Sequence, residues 1–285
     1  MPRTAIMQGR LLPPEGDRFQ CFPRAGWRQE FPNAAAAGLD AIEWIYDLYG
    51  ADVNPLATDE GIAEMRSLSE RHGIAVVSVC ADYFMDRPFV TAHTLEFAEL
   101  REHLLWLIER CRIAGIGRMV LPFVDASRIR GAEEGDRVIR LLAGVLPSAT
   151  ASGVELHLET DLNPAAFAAL LAALPHPMLK ANYDSGNSSS LGYDVRRELG
   201  TYGSRIGSVH IKDRLRGGGT VPLGTGDAEI PALLAGLADL NYAGAYVLQV
   251  ARAVPGEEIA WAHNNRQYLL HQLEQAKLAA CESAR

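Results

Sequence analysis

The chain has 285 residues, of which 48% are hydrophobic and 22% are charged, and its formal net charge is −8. This composition suits a globular protein with a large core, and no stretch approaches the ~20 consecutive apolar residues of a membrane span. The negative charge repels polyanions and argues against DNA or RNA as a partner, although a few local cations can still bind a small anion.

Short apolar runs alternate with longer helical patterns from one end of the chain to the other. Eight runs have the composition and length of buried strands: Ala5–Leu11, Ala41–Tyr46, Ala75–Cys80, Met119–Val124, Val154–Glu159, Leu179–Asp184, Ser208–Ile211 and Ala245–Val250. Between and after them, eight segments are predicted as helices, at about 33–38, 59–72, 93–114, 133–151, 164–174, 194–203, 229–240 and 257–280. Strict alternation predicts parallel strands joined by crossover helices.

The number of repeating units favours a closed barrel. Eight strand–helix units in one chain match a (β/α)8 TIM barrel, which typically needs roughly 250 residues. The alternative is an open doubly wound sheet, which usually has a Gly-rich phosphate turn after its first strand. Here the first strand continues into Gln8-Gly9-Arg10-Leu11 instead. We therefore predict a single TIM-barrel domain over residues 1–285.

Glycine and proline positions predict how several helices end. Gly73, Gly115 and Gly153 follow three predicted helices directly, where a left-handed C-cap is favoured. Pro147 falls inside the fourth predicted helix, and we expect it to kink or shorten that helix.

The segment 12–31 is unusually long for a loop between a barrel strand and its helix. It carries four aromatic residues among charged ones: Phe19, Phe22, Trp27 and Phe31. Two interpretations are open. The loop is either a lid whose aromatic side chains cover the pocket mouth, or a surface loop docked on the barrel rim.

In a barrel of this kind the active site lies at the carboxyl ends of the strands. The fifth strand places Glu155, His157 and Glu159 on one face because side chains alternate along a strand. The sixth strand ends at Asp184, and the seventh carries His210. Glu159, Asp184 and His210 would form a mixed oxygen and nitrogen set, which suits Mn²⁺, Co²⁺, Mg²⁺ or Zn²⁺.

Each of these residues also has a structural interpretation. An Asp after a strand is more often a turn former or helix cap, and a lone His on a barrel strand is more often a hydrogen-bonded core residue. Three such residues in register at successive strand ends favour the metal site.

Five segments carry a resemblance to a known family. They are GVELHLET (153–160), NYDSGN (182–187), VHIKDR (209–214), PLGTGD (222–227) and YVLQVAR (246–252). They resemble the xylose-isomerase-like superfamily, which includes ketose 3-epimerases, pentulose-phosphate 3-epimerases, hydroxypyruvate isomerases, inosose dehydratases and endonuclease IV. The run 183–214 is especially similar to the pentulose-phosphate 3-epimerases. The strand order covers the whole chain, whereas the motifs lie in its second half.

The resemblance implies four metal ligands: a Glu, an Asp, a His and a second Glu from strands five to eight. Glu159, Asp184 and His210 match the first three, and Gln249 stands at the fourth. A Gln oxygen can still coordinate a hard cation, but an amide has no useful basicity. The resemblance implies one divalent ion, and among the metals that suit this ligand set we favour Mn²⁺.

Gln249 also affects the implied chemistry. In the epimerases one Glu removes the C3 proton, the metal stabilises the cis-enediolate, and the second Glu returns a proton from the far side. Glu159 can be the first base, but Gln249 cannot be the second. Either another group serves the opposite face, or the reaction is an aldose–ketose isomerisation, for which one carboxylate suffices. The candidates for a replacement acid are Asp82, Glu43 and His157.

Other residues are expected to bind substrate or support the site. The resemblance implies that Glu43 contacts the substrate or a neighbouring side chain. Asp82 would contact the substrate or cap a helix, and His157 would orient Glu159 or bond across the barrel floor. A second group could contact a phosphate, a carboxylate or sugar hydroxyls: Asn187, Lys212, Arg214, Arg216 and Arg252. Lys212 and Asp213 could equally form an internal ion pair.

We therefore predict a divalent-metal-dependent isomerase or epimerase of a ketose, sugar phosphate or related polyol. The alternatives are an inosose-type dehydratase and a non-catalytic sugar-binding barrel. An endonuclease IV-like nuclease is disfavoured, because only two of eight histidines lie near predicted strand ends and the charge is negative. The expected partner is a small-molecule sugar, with neither nucleic acid nor membrane, and the chain could form a dimer or tetramer. The four scattered cysteines and the absence of a signal peptide suit the cytoplasm.

Overall fold

The computed structural model describes residues 3–283, so the first two and last two residues of the predicted domain lie outside the described part. Its strands are β1 (Thr4–Met7), β2 (Ala41–Ile45), β3 (Ala75–Cys80), β4 (Arg118–Phe123), β5 (Glu155–Thr160), β6 (Leu179–Asp184), β7 (Ile206–Ile211), β8 (Asp213–Arg214), β9 (Thr220–Val221) and β10 (Tyr246–Leu248). Eight of these strands form a closed barrel in the order β1-β10-β7-β6-β5-β4-β3-β2, and β8 and β9 form a separate hairpin. The structure thus confirms the (β/α)8 barrel.

Helices follow the barrel strands and surround the barrel. They are α1 (Glu30–Ala36), α2 (Asp59–His72), α3 (Tyr83–Asp86), α4 (Thr94–Ala114), α5 (Ala132–Ser152), α6 (Pro164–Ala173), α7 (Ser185–Leu191), α8 (Val195–Tyr202), α9 (Ile230–Asp239) and α10 (Glu258–Ser283). The eight predicted helices are present within a few residues of their expected bounds. The short helices α3 and α7 were not predicted, because one or two turns directly after a strand leave no apolar periodicity to detect.

Three glycine caps and one proline test the predicted helix ends. Gly73, Gly115 and Gly153 have φ values of 65°, 78° and 65°, which confirms the left-handed caps. The expectation that Pro147 shortens its helix was wrong, since α5 continues through it to Ser152. Buried side chains on both sides of Pro147, including Leu146 and Ala149, pack on the barrel and outweigh one missing hydrogen bond.

The first strand is shorter than predicted. It ends at Met7, and the chain turns at Gly9, whose φ of 81° favours glycine. A Cβ at Gly9 would lie only 3.0 Å from the backbone oxygen of Cys21, so the turn also brings the following loop close. Leu11 is buried because that loop docks on the barrel, and its apolar character was mistaken for strand.

The loop 12–31 places three of its four aromatic side chains in the core. The rings of Phe22, Trp27 and Phe31 surround Trp44 of β2, with centroid distances of 5.8, 5.8 and 5.9 Å. Phe19 alone among the four stays exposed, beneath the guanidinium of Arg10. The loop is therefore docked on the barrel, and its aromatic residues do not form a common cover.

Within residues 3–283 no helix combines the length and the apolar character that crossing a membrane requires.

Candidate functional site

A cavity of about 230 Å³ opens at the carboxyl ends of the barrel strands. Its wall combines side chains from the loop after β1 and from segments at the ends of the other seven barrel strands. Those that matter for chemistry are Gln20, Asp82, Glu159, Asn187, Lys212 and Gln249. The topology of the barrel, in which all eight strands are parallel, brings these distant segments to one rim.

Three predicted ligands converge beside this cavity. Glu159, Asp184 and His210 each offer one ligand atom, these atoms lie within 4.8 Å of one another, and all three residues are buried. Asp184 and His210 pair directly in the register of β6 and β7. His210 Nδ1 lies 3.2 Å from Glu159 Oε2 and 3.7 Å from Asp184 Oδ2.

Glu43 lies behind His210 and sets the orientation of its ring. His210 Nε2 is 2.6 Å from Glu43 Oε1, and the other oxygen of Glu43 accepts a hydrogen bond of 2.5 Å from Ser78. A carboxylate on one ring nitrogen holds the proton there and leaves the other nitrogen as a potential ligand. Glu43 is fully buried and touches His210, so its contact is with a neighbouring side chain.

The charge around His210 favours a cation. Burial alone would lower the pKa of His210, but the carboxylates of Glu43, Asp184 and Glu159 raise it well above its ordinary value. A cluster that attracts a proton so strongly also attracts a divalent cation, which competes with protons for the same donors.

Asp184 serves two purposes at the end of β6. Its Oδ1 accepts the backbone N–H of Asn187 at 2.8 Å and caps α7, while Oδ2 faces His210 and Lys212. Burial disfavours the carboxylate, but attraction to Lys212 and His210 outweighs it and lowers the pKa of Asp184 to about 2. The helix-cap interpretation and the convergence with the other two residues both hold for this side chain.

Two asparagines fix the carboxylate of Glu159. Asn187 donates to Oε1 at 2.7 Å, and Asn182 donates to Oε2 at 3.0 Å. Asn182 also lies 3.1 Å from His210 Nδ1 and was not singled out in the sequence. The alternation of β6 places it on the same face as Asp184, which is the signal that could have identified it.

His157 lies deeper in the barrel and does not reach the cavity. Its Nδ1 is 2.7 Å from Ser208 Oγ, and its Nε2 is 3.1 Å from Glu155. Burial lowers the pKa of His157 despite its contact with Glu155. Ser208 in turn donates to Asn182 at 2.6 Å, so His157 reaches the Glu159 side through two intermediate side chains.

Lys212 faces the cavity. Its Nζ donates to Gln249 Oε1 at 3.0 Å and lies 3.4 Å from both Asp184 Oδ2 and Asn187 Oδ1. The alternative ion pair with Asp213 does not form. Asp213 accepts three backbone N–H groups at 2.8 to 3.0 Å from residues 224, 226 and 228.

A chain of side-chain amides crosses the cavity wall. Gln249 Nε2 donates to Gln20 Oε1 at 3.2 Å, and Gln20 Nε2 donates to Asp82 Oδ2 at 2.8 Å. The other oxygen of Asp82 accepts from Cys80 Sγ at 3.1 Å. Gln20 was missed because it belongs to the loop after β1, whose position no local pattern reveals. Asp82 precedes α3 directly, but its side chain makes no capping hydrogen bond.

Asp82 is half-buried, and its side chain lines the cavity. This burial raises the pKa of Asp82 to about 7, against the opposing effect of the hydrogen bonds from Gln20 and Cys80. The negative charges of Asp47 and Glu159 raise it further. Asp82 can therefore hold or release a proton near neutral pH.

Arg252 and Arg10 fasten the loop after β1. Arg252 donates to the backbone oxygens of Phe19, at 2.8 Å, and of Gly9 and Leu12. Arg10 donates to Val250, Phe19 and Gln20 at 2.9 to 3.2 Å, and burial together with Arg252 lowers its pKa to about 9. Arg10 was missed in the sequence, and Arg252 spends its donors on the backbone away from the cavity.

Arg214 and Arg216 differ in position. Arg214 lines the cavity, where it donates to Asn187 Oδ1 at 3.0 Å and to the backbone oxygen of Gly218. Arg216 is exposed beside a separate cleft near Tyr193. The structure therefore brings one of these two cations to the site.

Comparison with known proteins places the fold and the site in context. The sequence pattern of a family described as "Xylose isomerase-like TIM barrel" matches residues 31–269. A protein of Escherichia coli (strain K12) named "Putative L-ribulose-5-phosphate 3-epimerase SgbU" is 26% identical over 243 residues, which cover 79% of this chain and 83% of that protein.

Solved structures show the same architecture. An L-ribulose 3-epimerase superposes with a TM-score of 0.78 at 20% identity, covering 100% of this chain and 99% of that one. A D-psicose 3-epimerase from Clostridium cellulolyticum H10, solved with D-tagatose, gives 0.75 at 14% identity and covers 96% and 99%. The 3-keto-D-glucoside 4-epimerase YcjR from E. coli gives 0.69 at 16% and covers 95% and 100%. At these identities the likeness establishes the fold.

Proposed function

The chain belongs to the xylose isomerase-like TIM barrel family, and we propose that it is a metal-dependent isomerase or epimerase of a ketose, a sugar phosphate or a related polyol. The observation that carries the proposal is the convergence of Glu159, Asp184 and His210 within 4.8 Å beside the cavity. The epimerases among its structural neighbours support the choice of reaction class.

The donor set suits a divalent metal ion. Two carboxylate oxygens and one imidazole nitrogen fit Mn²⁺, which we propose as the ion, and they also fit Co²⁺, Mg²⁺ or Zn²⁺. Glu43 supports this role because it fixes the ring of His210 with Nδ1 toward the two carboxylates. We propose the amide oxygen of Gln249 as the fourth ligand.

Glu159 is the proposed base. Asn182 and Asn187 hold both oxygens of its carboxylate, so its position is set before substrate binds. It would accept the proton from the carbon next to the substrate carbonyl. A divalent ion in the cluster would stabilise the negative charge that develops on the substrate oxygens.

The cavity wall supplies groups for a polyhydroxy substrate. We propose that Asp82, Asn187, Lys212 and Arg214 contact its hydroxyl groups or a phosphate, because all four line the cavity. In contrast, we propose that Glu43, His157 and Arg252 act through neighbouring groups, since their polar atoms are engaged within the protein. The proposed setting is the cytoplasm, and a homo-oligomeric state stays a prediction.

The test is an exchange experiment. The protein loaded with Mn²⁺ is incubated in D₂O with D-psicose, D-tagatose, L-ribulose and L-ribulose 5-phosphate, and the products are analysed by NMR. Deuterium at C3 indicates epimerisation, whereas deuterium at C1 or C2 indicates isomerisation. Glu159→Gln is the matched control and should abolish exchange in the epimer from which Glu159 removes the proton. Wild-type protein that binds Mn²⁺ but exchanges no hydrogen in any of these sugars would contradict the proposal.

Gln249 motivates a second candidate, a non-catalytic sugar-binding barrel. An amide in place of a base suits binding without turnover. Calorimetry on the same sugars distinguishes the two functions, because the binding barrel should give heats of binding without deuterium exchange. An inosose-type dehydratase would instead release water and yield a product of lower mass.

A further inference from the structure

We propose that Asp82 is the second proton-transferring group of this site and serves the face of the substrate opposite Glu159. The inference rests on the proposed function and deepens it, because it supplies the base that Gln249 cannot provide. Three observations carry it: the position of Asp82 in the barrel, the surroundings of its carboxyl, and its link to Gln249.

Position separates Asp82 from the other candidates. Asp82 follows β3, which β4 separates from the β5 strand of Glu159, and both side chains line the cavity, so a substrate can lie between the two carboxyl groups. Glu43 is fully buried between His210 and Ser78, and His157 contacts Ser208 and Glu155 below the cavity. Neither of these two can reach a substrate.

Other carboxyl groups on the cavity wall are less suited to proton transfer. Asp47 uses both oxygens to accept backbone N–H groups, from Phe22 and Gly50, at 2.8 Å. Asp86 and Asp125 are exposed, so bulk water competes with a substrate for their carboxylates.

The carboxyl of Asp82 has neutral partners. One oxygen accepts from an amide and the other from a thiol, and each oxygen keeps capacity for a further hydrogen bond. Among residues 3–283 no Lys, Arg or His forms an ion pair with Asp82. The charged and titratable groups that influence it are Asp47, Glu159, Cys80 and Arg10. Such a carboxyl can exist in both protonation states near neutral pH.

Gln20 links Asp82 to the position where the second base is missing. The amide of Gln249 donates to Gln20, and Gln20 donates to Asp82. An amide chain transfers no proton, but it fixes the rotamer of Asp82 and so positions its free lone pairs.

The proposed step is balanced. Glu159 takes the proton from the substrate carbon, the C–H electron pair becomes the C=C bond of an enediolate, and the carbonyl oxygen takes the negative charge. Protonated Asp82 then donates its proton to the same carbon from the other face, and the carbonyl reforms. Glu159 ends protonated and Asp82 ionised, and exchange with water in the open cavity restores both.

The test compares Asp82→Asn with Glu159→Gln on whichever of the four sugars wild type epimerises, in D₂O with Mn²⁺. Loss of one base should reduce epimerisation by about 10²- to 10⁴-fold. Asp82→Asn should still exchange the C3 hydrogen of the epimer that Glu159 deprotonates. Glu159→Gln, assayed at a Mn²⁺ concentration that saturates this variant, should exchange only the opposite epimer. Asp239→Asn, at an exposed position of α9 that does not line the cavity, is the matched control and should epimerise at the wild-type rate.

Further readouts separate this role from a structural one. Asp82→Asn should bind Mn²⁺ with wild-type affinity. If that variant does not fold, Gln20→Met is the alternative: it keeps the carboxyl but removes a hydrogen bond to its charged form. For the epimer that Glu159 deprotonates, this change should move the alkaline limb of the pH–rate profile upward, because Asp82 must be protonated to act as the acid. An unmoved limb would overturn the inference.

Several outcomes are decisive. Epimerisation by Asp82→Asn at the wild-type rate overturns the inference and leaves the proposed function standing. Wild-type products that carry deuterium at C1 or C2, with no C3 epimer formed, also overturn the inference and leave the proposed function standing. Metal-loaded wild type that exchanges no hydrogen in any sugar overturns both, and the wild-type reaction alone reveals that case.

Discussion

Two sides of the cavity differ in how they are built. The metal side consists of Glu159, Asp184 and His210, which come from three successive barrel strands and carry charge. The amide side consists of Gln20, Asp82 and Gln249, which come from a loop, the start of a short helix and a strand end, and are joined by neutral donors. The metal side is held by the barrel itself, whereas the amide side depends on how a long loop docks.

This difference has an energetic consequence. On the metal side, Glu159 and Asp184 each have a carboxylate oxygen within 4 Å of His210 Nδ1. Removal of one of these charges leaves the others buried without compensation. On the amide side each hydrogen bond joins groups that are partly open to the cavity, so single changes should cost less. We therefore expect metal-side substitutions to affect binding of the ion most strongly and amide-side substitutions to affect the reaction and the loop.

The largest effect is expected for Asp184→Asn. The variant should bind Mn²⁺ at least about 10²-fold more weakly, because loss of a charged ligand should exceed the loss seen for outer partners. Asparagine can still cap α7, so the fold should persist. Titration calorimetry with Mn²⁺ measures the change, and Asp86→Asn is the control. Unchanged Mn²⁺ affinity in Asp184→Asn would show that Asp184 acts as a helix cap and is not a metal ligand, which would contradict the proposed metal side.

The next largest effect is the contribution of Glu30 to the pH dependence of the free energy of unfolding. Glu30 anchors the loop of the amide side. Its Oε1 accepts the N–H of Gly9, and burial raises the pKa of Glu30 to about 8. A raised carboxyl pKa contributes stability below the unfolded pKa, and this stability is lost as pH rises from about 4.5 to 8. Wild type should lose roughly 2–4 kcal/mol relative to Glu30→Gln between pH 5 and pH 8.

Urea unfolding of both proteins at the two pH values measures this difference. Because other titrating groups are common to the two proteins, the difference isolates Glu30. A constant difference across the range would show that Glu30 does not change its protonation on folding.

Arg252→Ala tests the docking of the loop. Loss of its bonds to the backbone oxygens of Gly9, Leu12 and Phe19 should lower the free energy of unfolding by about 2 kcal/mol. Arg216→Ala removes an exposed arginine and should change stability by less than about 0.5 kcal/mol. In Arg252→Ala the KM should rise by the same factor for L-ribulose and for L-ribulose 5-phosphate. A rise confined to the phosphorylated sugar would instead support the anion-binding role considered from the sequence.

The smallest effect is expected for Gln249→Glu, which makes the amide side resemble the metal side. A carboxylate there should strengthen Mn²⁺ binding about tenfold, or about 1.4 kcal/mol, because it adds negative charge beside the cluster. Gln249→Met, of similar length and without a ligand oxygen, should weaken binding instead. Equal affinities in all three proteins would remove Gln249 from the proposed ligand set.

The predictability of the two sides follows from the same contrast. Alternation along β5 and β6 and the parallel order of strands predicted that Glu159, Asp184 and His210 would meet, since strand ends converge in any such barrel. Helices with apolar periodicity were also predicted within a few residues.

The amide side was harder to predict because its geometry is set by tertiary packing. Gln20 is 229 residues from Gln249 in the chain, and their contact depends on the aromatic residues that dock the loop around Trp44. For the same reason Arg252 was expected at the substrate, although it binds the loop backbone. His157 was expected near substrate because the strand period specifies a face but not a depth in the barrel.

The packing of the loop against β2 has a spectroscopic consequence. Trp27 and Trp44 are both buried, and their rings meet edge to face at 5.8 Å. Indole emission shifts to longer wavelength when the ring enters water. Release of the loop would therefore shift the emission maximum of Trp27 to longer wavelength while the barrel stays folded. The protein thus carries an intrinsic optical reporter, with which loop release can be followed in real time without a label.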